Sequence, residues 1–217
     1  MTDAAFQVLP RQSLADGVAG QIRAAILRAE LPEGAPIAEA TLAARLGTSR
    51  GPVREALFQL EREGLVVFSA KGRCHVRTLS PADFEELSTL RLALESMSVA
   101  RAAERLTPAD IAALEDNLRR CEKASTLEDL CRLDIEFHDL VVQAARHERL
   151  LICWRTIVRQ VEWWLVRNYR KLHAKAGATR PFVMIGQRHL YKALRSGSPK
   201  KAVAELTAHI GRWRELT

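Results

Sequence analysis

Two pairs of side chains, each spaced four residues apart, offer the clearest chemistry in this sequence. Asp134 and His138 would place a carboxylate and an imidazole on one face of a helix, an arrangement suited to a divalent metal ion. Arg50 and Arg54 would place two guanidinium groups on one helix face, and each can donate two parallel hydrogen bonds to guanine. No activated nucleophile or pair of catalytic carboxylates accompanies them, so binding is indicated more strongly than catalysis.

The arginine pair lies in a stretch that predicts a helix-turn-helix. Two helical patterns flank Gly47, and their apolar residues recur at helical spacing. These residues are Leu42, Ala43, Leu46, Val53, Leu57 and Leu60. Thr48 or Ser49 can cap the second helix, and both should contact phosphate through a hydroxyl or backbone N–H. Arg50 and Arg54 would then lie near the start of a helix that enters the major groove.

The elements around this stretch predict a mainly α protein with two domains. Residues 13–30 form an amphipathic helix that Ser13 can cap, and residues 65–68 and 74–77 predict a β-hairpin that would be a wing. Helices follow at about 81–105, 107–123, 126–145, 147–174, 180–196 and 198–215. The apolar face of the first of these comprises Leu87, Leu90, Leu94, Met97 and Val99. We therefore expect an N-terminal winged helix-turn-helix domain over residues 1–78 and an all-α antiparallel bundle of six helices over residues 79–217.

Composition and charge limit the classes of protein. The net charge of +7 favours an anionic partner, although the excess is spread as +2 over residues 1–78 and +5 over residues 79–217. No stretch reaches the roughly 20 apolar residues of a membrane span, and the N-terminus lacks the pattern of a signal peptide. The four cysteines show no C-x-x-C spacing, which favours reduced and mostly buried thiols. A cytoplasmic protein is expected.

Two sets of residues resemble a known family. The pattern through residues 31–66 resembles the winged-helix head of the GntR family of bacterial transcription regulators; it comprises Leu31-Pro32-Glu33-Gly34, Ile37, Glu39, Leu42-Ala43, Leu46-Gly47, Arg50, Pro52, Arg54-Glu55, Leu57 and Glu63-Gly64-Leu65-Val66. The later helices resemble the FadR-type effector domain, known as FCD, through Arg91, Glu95, Leu133-Asp134, Phe137-His138, Gln187, Ala193-Leu194 and His209.

The resemblance implies a homodimer that binds a pseudo-palindromic, double-stranded operator and responds to a small metabolite in the bundle. Arg50 and Arg54 match arginines that read bases in the family. Lys71 and Gly72 match the wing tip, which reaches the minor groove, and Arg73 lies beside them.

The resemblance also implies a pocket for a metal and an effector. Many FadR-type domains hold zinc, nickel or manganese through an Asp, a His and two further histidines; Asp134, His138 and His209 match three of these, and Gln187 stands where the fourth would be. His189 is two residues further on, about 200° around the helix, so it cannot replace that ligand. Arg91 matches an arginine that would neutralise a carboxylate effector, Arg159 is a candidate by location, and Gln187 could bind the effector directly.

Other interpretations remain at this stage. Arg50 and Arg54 could be solvated, with Arg54 pairing with Glu55 or Glu61, and Arg91 could pair structurally with Glu95. Asp134 and His138 could be a hydrogen-bonded pair in a bundle core, or the metal could be lost while the same groups bind effector. The favoured hypothesis is a ligand-responsive repressor and not an enzyme. The rivals are a metal-dependent enzyme that uses the Asp/His cluster, and a sequence-independent DNA binder.

Overall fold

A computed structural model describes residues 14–176 and 179–214, which divide into two compact units between Thr78 and Leu79. The first unit contains α1 (Leu14–Leu27), β1 (Pro36–Ile37), α2 (Glu39–Arg45), α3 (Arg50–Arg62), β2 (Val66–Phe68) and β3 (Cys74–Val76). The second contains α4 (Pro81–Ala103), α5 (Pro108–Glu122), α6 (Leu127–Ala144), α7 (Glu148–Ala176), α8 (Thr179–Arg195) and α9 (Pro199–Arg214). The predicted fold class is confirmed.

The helix-turn-helix comprises α2, a turn and α3, with α1 packed behind α3. Gly47 takes φ +61°, a backbone conformation that favours glycine, and so allows the sharp turn. Ser49 occupies the N-cap position of α3, but its side chain makes no capping hydrogen bond within the described residues. Arg23 of α1 donates two hydrogen bonds to Glu63 at 2.6 and 2.8 Å, which fixes the end of α3 against α1. The predicted cap of α1, Ser13, lies outside the described residues.

The wing belongs to a three-stranded sheet of order β1-β3-β2 in which both pairings are antiparallel. The hairpin of β2 and β3 turns at Gly72, which has φ +70°. The two-residue strand β1 was not predicted from the sequence. It forms because Pro36 and Ile37 pair with His75 and Cys74, a long-range contact that local patterning does not indicate.

The second unit is a helical bundle in which α4 packs on α6, α7 and α9. Capping boxes begin two of the helices: Ser80 exchanges hydrogen bonds with Asp83 at α4, and Thr107 does so with Asp110 at α5. All six helices begin and end within two residues of the predicted positions. The described residues include all four cysteines, and none forms a disulfide. None of the described helices combines the length and the apolar character needed to cross a membrane.

The orientation of α4 corrects one prediction. Leu90 and Met97 were expected in the core, but they are 46% and 53% exposed. The helix instead buries a polar stripe, which consists of Ser88, Arg91, Glu95 and Ser98. Burial of charge is tolerated here because Arg91 and Glu95 form an ion pair inside the bundle. The consequence is an apolar stripe on the outer face of α4.

Candidate nucleic-acid interface and metal centre

The start of α3 presents Arg50 and Arg54 on the surface of the first unit. Their side chains are 70% and 63% exposed. Both approach Glu39, at 3.2 Å from Arg50 Nη2 and 3.9 Å from Arg54 Nε, and the Arg54 guanidinium also lies 5.6 Å from the centre of the Phe58 ring. Exposed ion pairs of this kind contribute about 0–1 kcal/mol, so both guanidinium groups can exchange Glu39 for a stronger partner.

The other predicted DNA contacts lie at two places in the same unit. Thr48 and Ser49 directly precede α3, where the first N–H groups of the helix can donate hydrogen bonds to an anion. Lys71, Gly72 and Arg73 lie exposed in the turn between β2 and β3. The surface is thus chemically suited to phosphate and base contacts from a helix and a wing.

A buried cluster occupies the interior of the second unit and brings together Asp134, His138 and His209. One ligand atom from each of the three lies within 4.8 Å of the others, and all three side chains are buried. The Nε2 atoms of His138 and His209 face each other at 3.2 Å, and Asp134 Oδ1 lies 3.9 Å from His138 Nε2. Residues 71 positions apart in the chain therefore converge on one point.

Glu95 fixes the orientation of His138. Its Oε2 lies 2.5 Å from His138 Nδ1, and its Oε1 accepts from Arg91 Nε at 2.5 Å. Burial opposes ionisation, but Arg91 and His138 overcome it and lower the pKa of Glu95 to about 2. An ionised Glu95 accepts a hydrogen bond from Nδ1–H, which leaves the Nε2 lone pair of His138 directed into the cluster. Histidine ligands of metals are commonly oriented by a carboxylate in this way.

His209 completes the pair of imidazoles and is neutral. Burial, together with the nearby His138 and Arg91, holds the pKa of His209 well below its usual range. Gly186 provides the space that His209 occupies, because a Cβ built at Gly186 would overlap Nδ1 of that ring. Gly186 was not among the predicted site residues, although a glycine inside a helical pattern can indicate a close packing contact.

Gln187 and Tyr169 both bind Asp134. Gln187 Nε2 donates to Asp134 Oδ1 at 2.7 Å, and the Tyr169 hydroxyl donates to Oδ2 at 2.7 Å. Oε1 of Gln187 is buried and finds no hydrogen-bond partner among the described residues. His189 is exposed, as the helical rotation predicts. Tyr169 had no signal in the sequence, since its role depends on where α7 meets α6.

The predicted effector residues Arg91 and Arg159 differ in their surroundings. Arg91 pairs with Glu95, but its Nη2 is buried without a partner in the part of the chain that the structure describes. Arg91 also lines a cavity of about 10 Å³ beside the stacked rings of Phe84 and Trp164. Arg159 is 43% exposed and binds Glu162 at 2.8 Å, which is not one of the cluster residues. The structure thus brings Arg91, but not Arg159, to the polar interior.

Comparison with known proteins matches both units. Residues 14–76 match the family model of bacterial regulatory proteins of the gntR family, and residues 86–212 match the FCD domain. A probable D-xylose utilization operon transcriptional repressor of Paenarthrobacter nicotinovorans is 29% identical over 99% of this chain and 93% of that protein. An uncharacterised regulator of Streptomyces ambofaciens is 33% identical over 88% of this chain and 79% of that protein.

Solved structures share the fold. McbR/YncC of E. coli gives a TM-score of 0.75 at 23% identity, covering 93% of this chain and 95% of that one. A GntR regulator from Rhodococcus gives 0.76 at 23% identity, covering 94% and 98%. The family interpretation and the expectation that the protein is not an enzyme are confirmed. The chain belongs to the GntR family of bacterial transcription regulators, with an FCD domain following its winged helix-turn-helix.

Proposed function

We propose that this protein is a repressor that binds a pseudo-palindromic operator as a homodimer and responds to a small carboxylate in the FCD pocket. The proposal rests on two binding sites that occur in one chain, one suited to DNA and one suited to a small ligand. Exposed arginines occupy the start of a helix suited to the major groove, and a buried polar cluster with incompletely satisfied atoms occupies the bundle. Its place of action is the cytoplasm, where the operator lies.

In the DNA complex, Arg50 and Arg54 would read base edges while the remaining contacts set the register of the head. Arginine commonly binds guanine O6 and N7 through two parallel hydrogen bonds. Thr48 and Ser49 would bind phosphate at the start of α3, and Lys71, Gly72 and Arg73 would bind the minor groove from the wing. Glu39 supports this assignment because it holds both guanidinium groups at one place on the surface without burying them.

The outer stripe of α4 supports the homodimer. Leu90 and Met97 are seven residues apart, on one face of the helix, and both are about half exposed. A second copy of the chain would cover this apolar stripe, and a two-fold dimer matches an operator with two related half-sites. Leu90→Glu is expected to shift the mass measured by light scattering from dimer to monomer.

The cluster fits a divalent transition metal, and Asp134, His138 and His209 would hold it. Two facing imidazole nitrogens at 3.2 Å have the separation of neighbouring ligands on a metal about 2 Å from each. The orphaned Oε1 of Gln187 and the Glu95 contact that orients His138 further support this fit. A bound zinc, nickel or manganese ion would supply Lewis acidity that anchors the carboxylate of the effector. The unpartnered Nη2 of Arg91 would bind the same carboxylate.

Selection of DNA by the purified protein tests the proposal. Wild-type protein is incubated with a random duplex library at fixed salt, and the retained sequences are determined. Two inverted half-sites about one helical turn apart are expected. An enriched pool without related half-sites would contradict the dimer, and no enrichment would contradict sequence-specific reading altogether.

A further inference from the structure

The side chain of Gln187 does two different things with its two polar atoms. Its Nε2 donates to Asp134 Oδ1 at 2.7 Å, while its Oε1 is fully buried and unpartnered among residues 14–176 and 179–214. The amide cannot be reversed in the arrangement observed, because its oxygen would then face a carboxylate oxygen at hydrogen-bond distance. Gln187 therefore donates a hydrogen bond to Asp134 while its own amide oxygen is left without a donor among the described residues.

Rotation of this amide by about 180° would change the chemistry of the cluster. Oε1 would then face the oxygen of Asp134 that lies 3.9 Å from His138 Nε2. Two oxygens so placed repel each other unless a cation lies between them, and a cation also needs the nitrogens of His138 and His209 that lie 3.2 Å apart. The rotated amide is thus compatible with the cluster only when the metal is bound.

We propose that Gln187 is a two-position ligand that makes the pocket a weak, exchangeable metal site with selectivity shifted towards Mn²⁺ relative to Zn²⁺. This inference rests on the proposed metal in the FCD domain. It concerns Gln187, which occupies the position where the family resemblance implies a histidine ligand. Without metal, Gln187 donates to Asp134; with metal, its oxygen becomes the fourth donor. The metal would then have two oxygen and two nitrogen donors, whereas the Asp and three His ligands implied by the family resemblance supply one oxygen and three nitrogens.

Two consequences follow for affinity. The metal must break the Gln187–Asp134 hydrogen bond, and a hydrogen bond to a charged group is equivalent to about a 10- to 150-fold change in an equilibrium constant. An amide oxygen also suits Mn²⁺ better than an imidazole does, whereas imidazole suits Zn²⁺. Both effects lower the affinity for Zn²⁺, but the second affects Mn²⁺ less.

The test measures dissociation constants for Zn²⁺ and Mn²⁺ by calorimetry on full-length, tag-free protein treated with chelator. Gln187→His is expected to bind Zn²⁺ at least about tenfold more tightly than the wild type and to raise the preference for Zn²⁺ over Mn²⁺ by at least about tenfold. Gln187→Leu keeps the other three ligands but removes the amide oxygen, so it should lower the preference for Mn²⁺ over Zn²⁺, a ratio in which the cost of breaking the Gln187–Asp134 hydrogen bond cancels. His189→Ala, two residues away on the exposed face of α8, should match the wild type.

Three results would overturn the inference: an unchanged preference in a folded Gln187→His protein, an unchanged preference in Gln187→Leu, or no Mn²⁺ binding by the wild type at about 1 mM. If Gln187→His fails to fold, as judged by thermal unfolding, the Gln187→Leu comparison decides. Operator binding is measured on the same samples without metal. If one of the three results is found and operator binding is retained, the role of Gln187 has failed while the DNA-binding function stands.

Discussion

Replacement of Glu95 by glutamine should destabilise the bundle far more than the same change at the surface. Glu95 is 2% exposed and joins two partners, Arg91 and His138, through hydrogen bonds of 2.5 Å each. Glutamine keeps the shape but removes the charge, so the buried guanidinium of Arg91 loses its counter-ion. Removing one partner of a buried ion pair costs about 3–5 kcal/mol, a large share of the roughly 5–15 kcal/mol that stabilises a protein.

The lowered pKa of Glu95 expresses the same interactions with Arg91 and His138. A fall from 4.5 in the unfolded chain to about 2 in the folded protein corresponds to about 3 kcal/mol. Because the folded-state pKa is the lower one, this contribution is fully present above pH 4.5 and is lost as the pH falls towards 2. The wild type should therefore lose stability through this window, and the part due to Glu95 should be missing from Glu95→Gln.

The assay is urea unfolding at pH 7 and across pH 5 to 3, with Glu136→Gln as the matched control. Glu136 also binds two arginines, Arg120 and Arg132, but its side chain is 33% exposed. The control should lose less than about 1 kcal/mol at pH 7, against about 3 kcal/mol for Glu95→Gln. Equal losses in the two variants, or an unchanged pH dependence in Glu95→Gln, would refute this account of the buried network.

Two further substitutions test the supports of the cluster. Gly186→Ala should displace His209 and weaken Zn²⁺ binding by at least about tenfold. Gly211→Ala is the control, because a Cβ at Gly211 meets nothing within 4 Å, and it should leave Zn²⁺ affinity unchanged. Equal affinities of the two variants by calorimetry would contradict the packing argument. Tyr169→Phe removes the hydroxyl that donates to Asp134 Oδ2, and it should lower the free energy of unfolding measured in urea by about 1.5–3 kcal/mol. A decrease of less than about 0.5 kcal/mol would show that this hydrogen bond contributes little to stability.

The sequence predicted the features that depend on local chemistry. Helix starts at α4 and α5 were accurate because Ser80 and Thr107 form capping boxes three residues ahead of an aspartate, and the turn before α3 was accurate because Gly47 permits a positive φ. Asp134 and His138 were predicted as a pair because residues four apart in a helix lie on the same face.

Features that depend on tertiary packing could not be predicted in the same way. Leu90 and Met97 follow the periodicity of a buried face, but α4 turns its polar stripe inward because Arg91 and Glu95 neutralise each other there. Hydrophobic periodicity identifies a face that avoids water without indicating what covers it. The partners of the cluster, Glu95 on α4 and Tyr169 on α7, are brought to Asp134 and His138 by packing alone.

The most direct test of the central claim, that α3 reads operator DNA, is the ratio of affinities for the selected operator and a scrambled duplex at one salt concentration. Arg54→Ala removes one base-reading side chain per half-site, and a bidentate contact contributes about 1–3 kcal/mol, so two lost contacts should lower the ratio by about 30- to 20,000-fold. Arg62 is exposed in the last turn of the same helix, and Arg62→Ala should change the affinity ratio by less than about threefold. A folded Arg54→Ala protein that keeps the wild-type ratio would contradict the account.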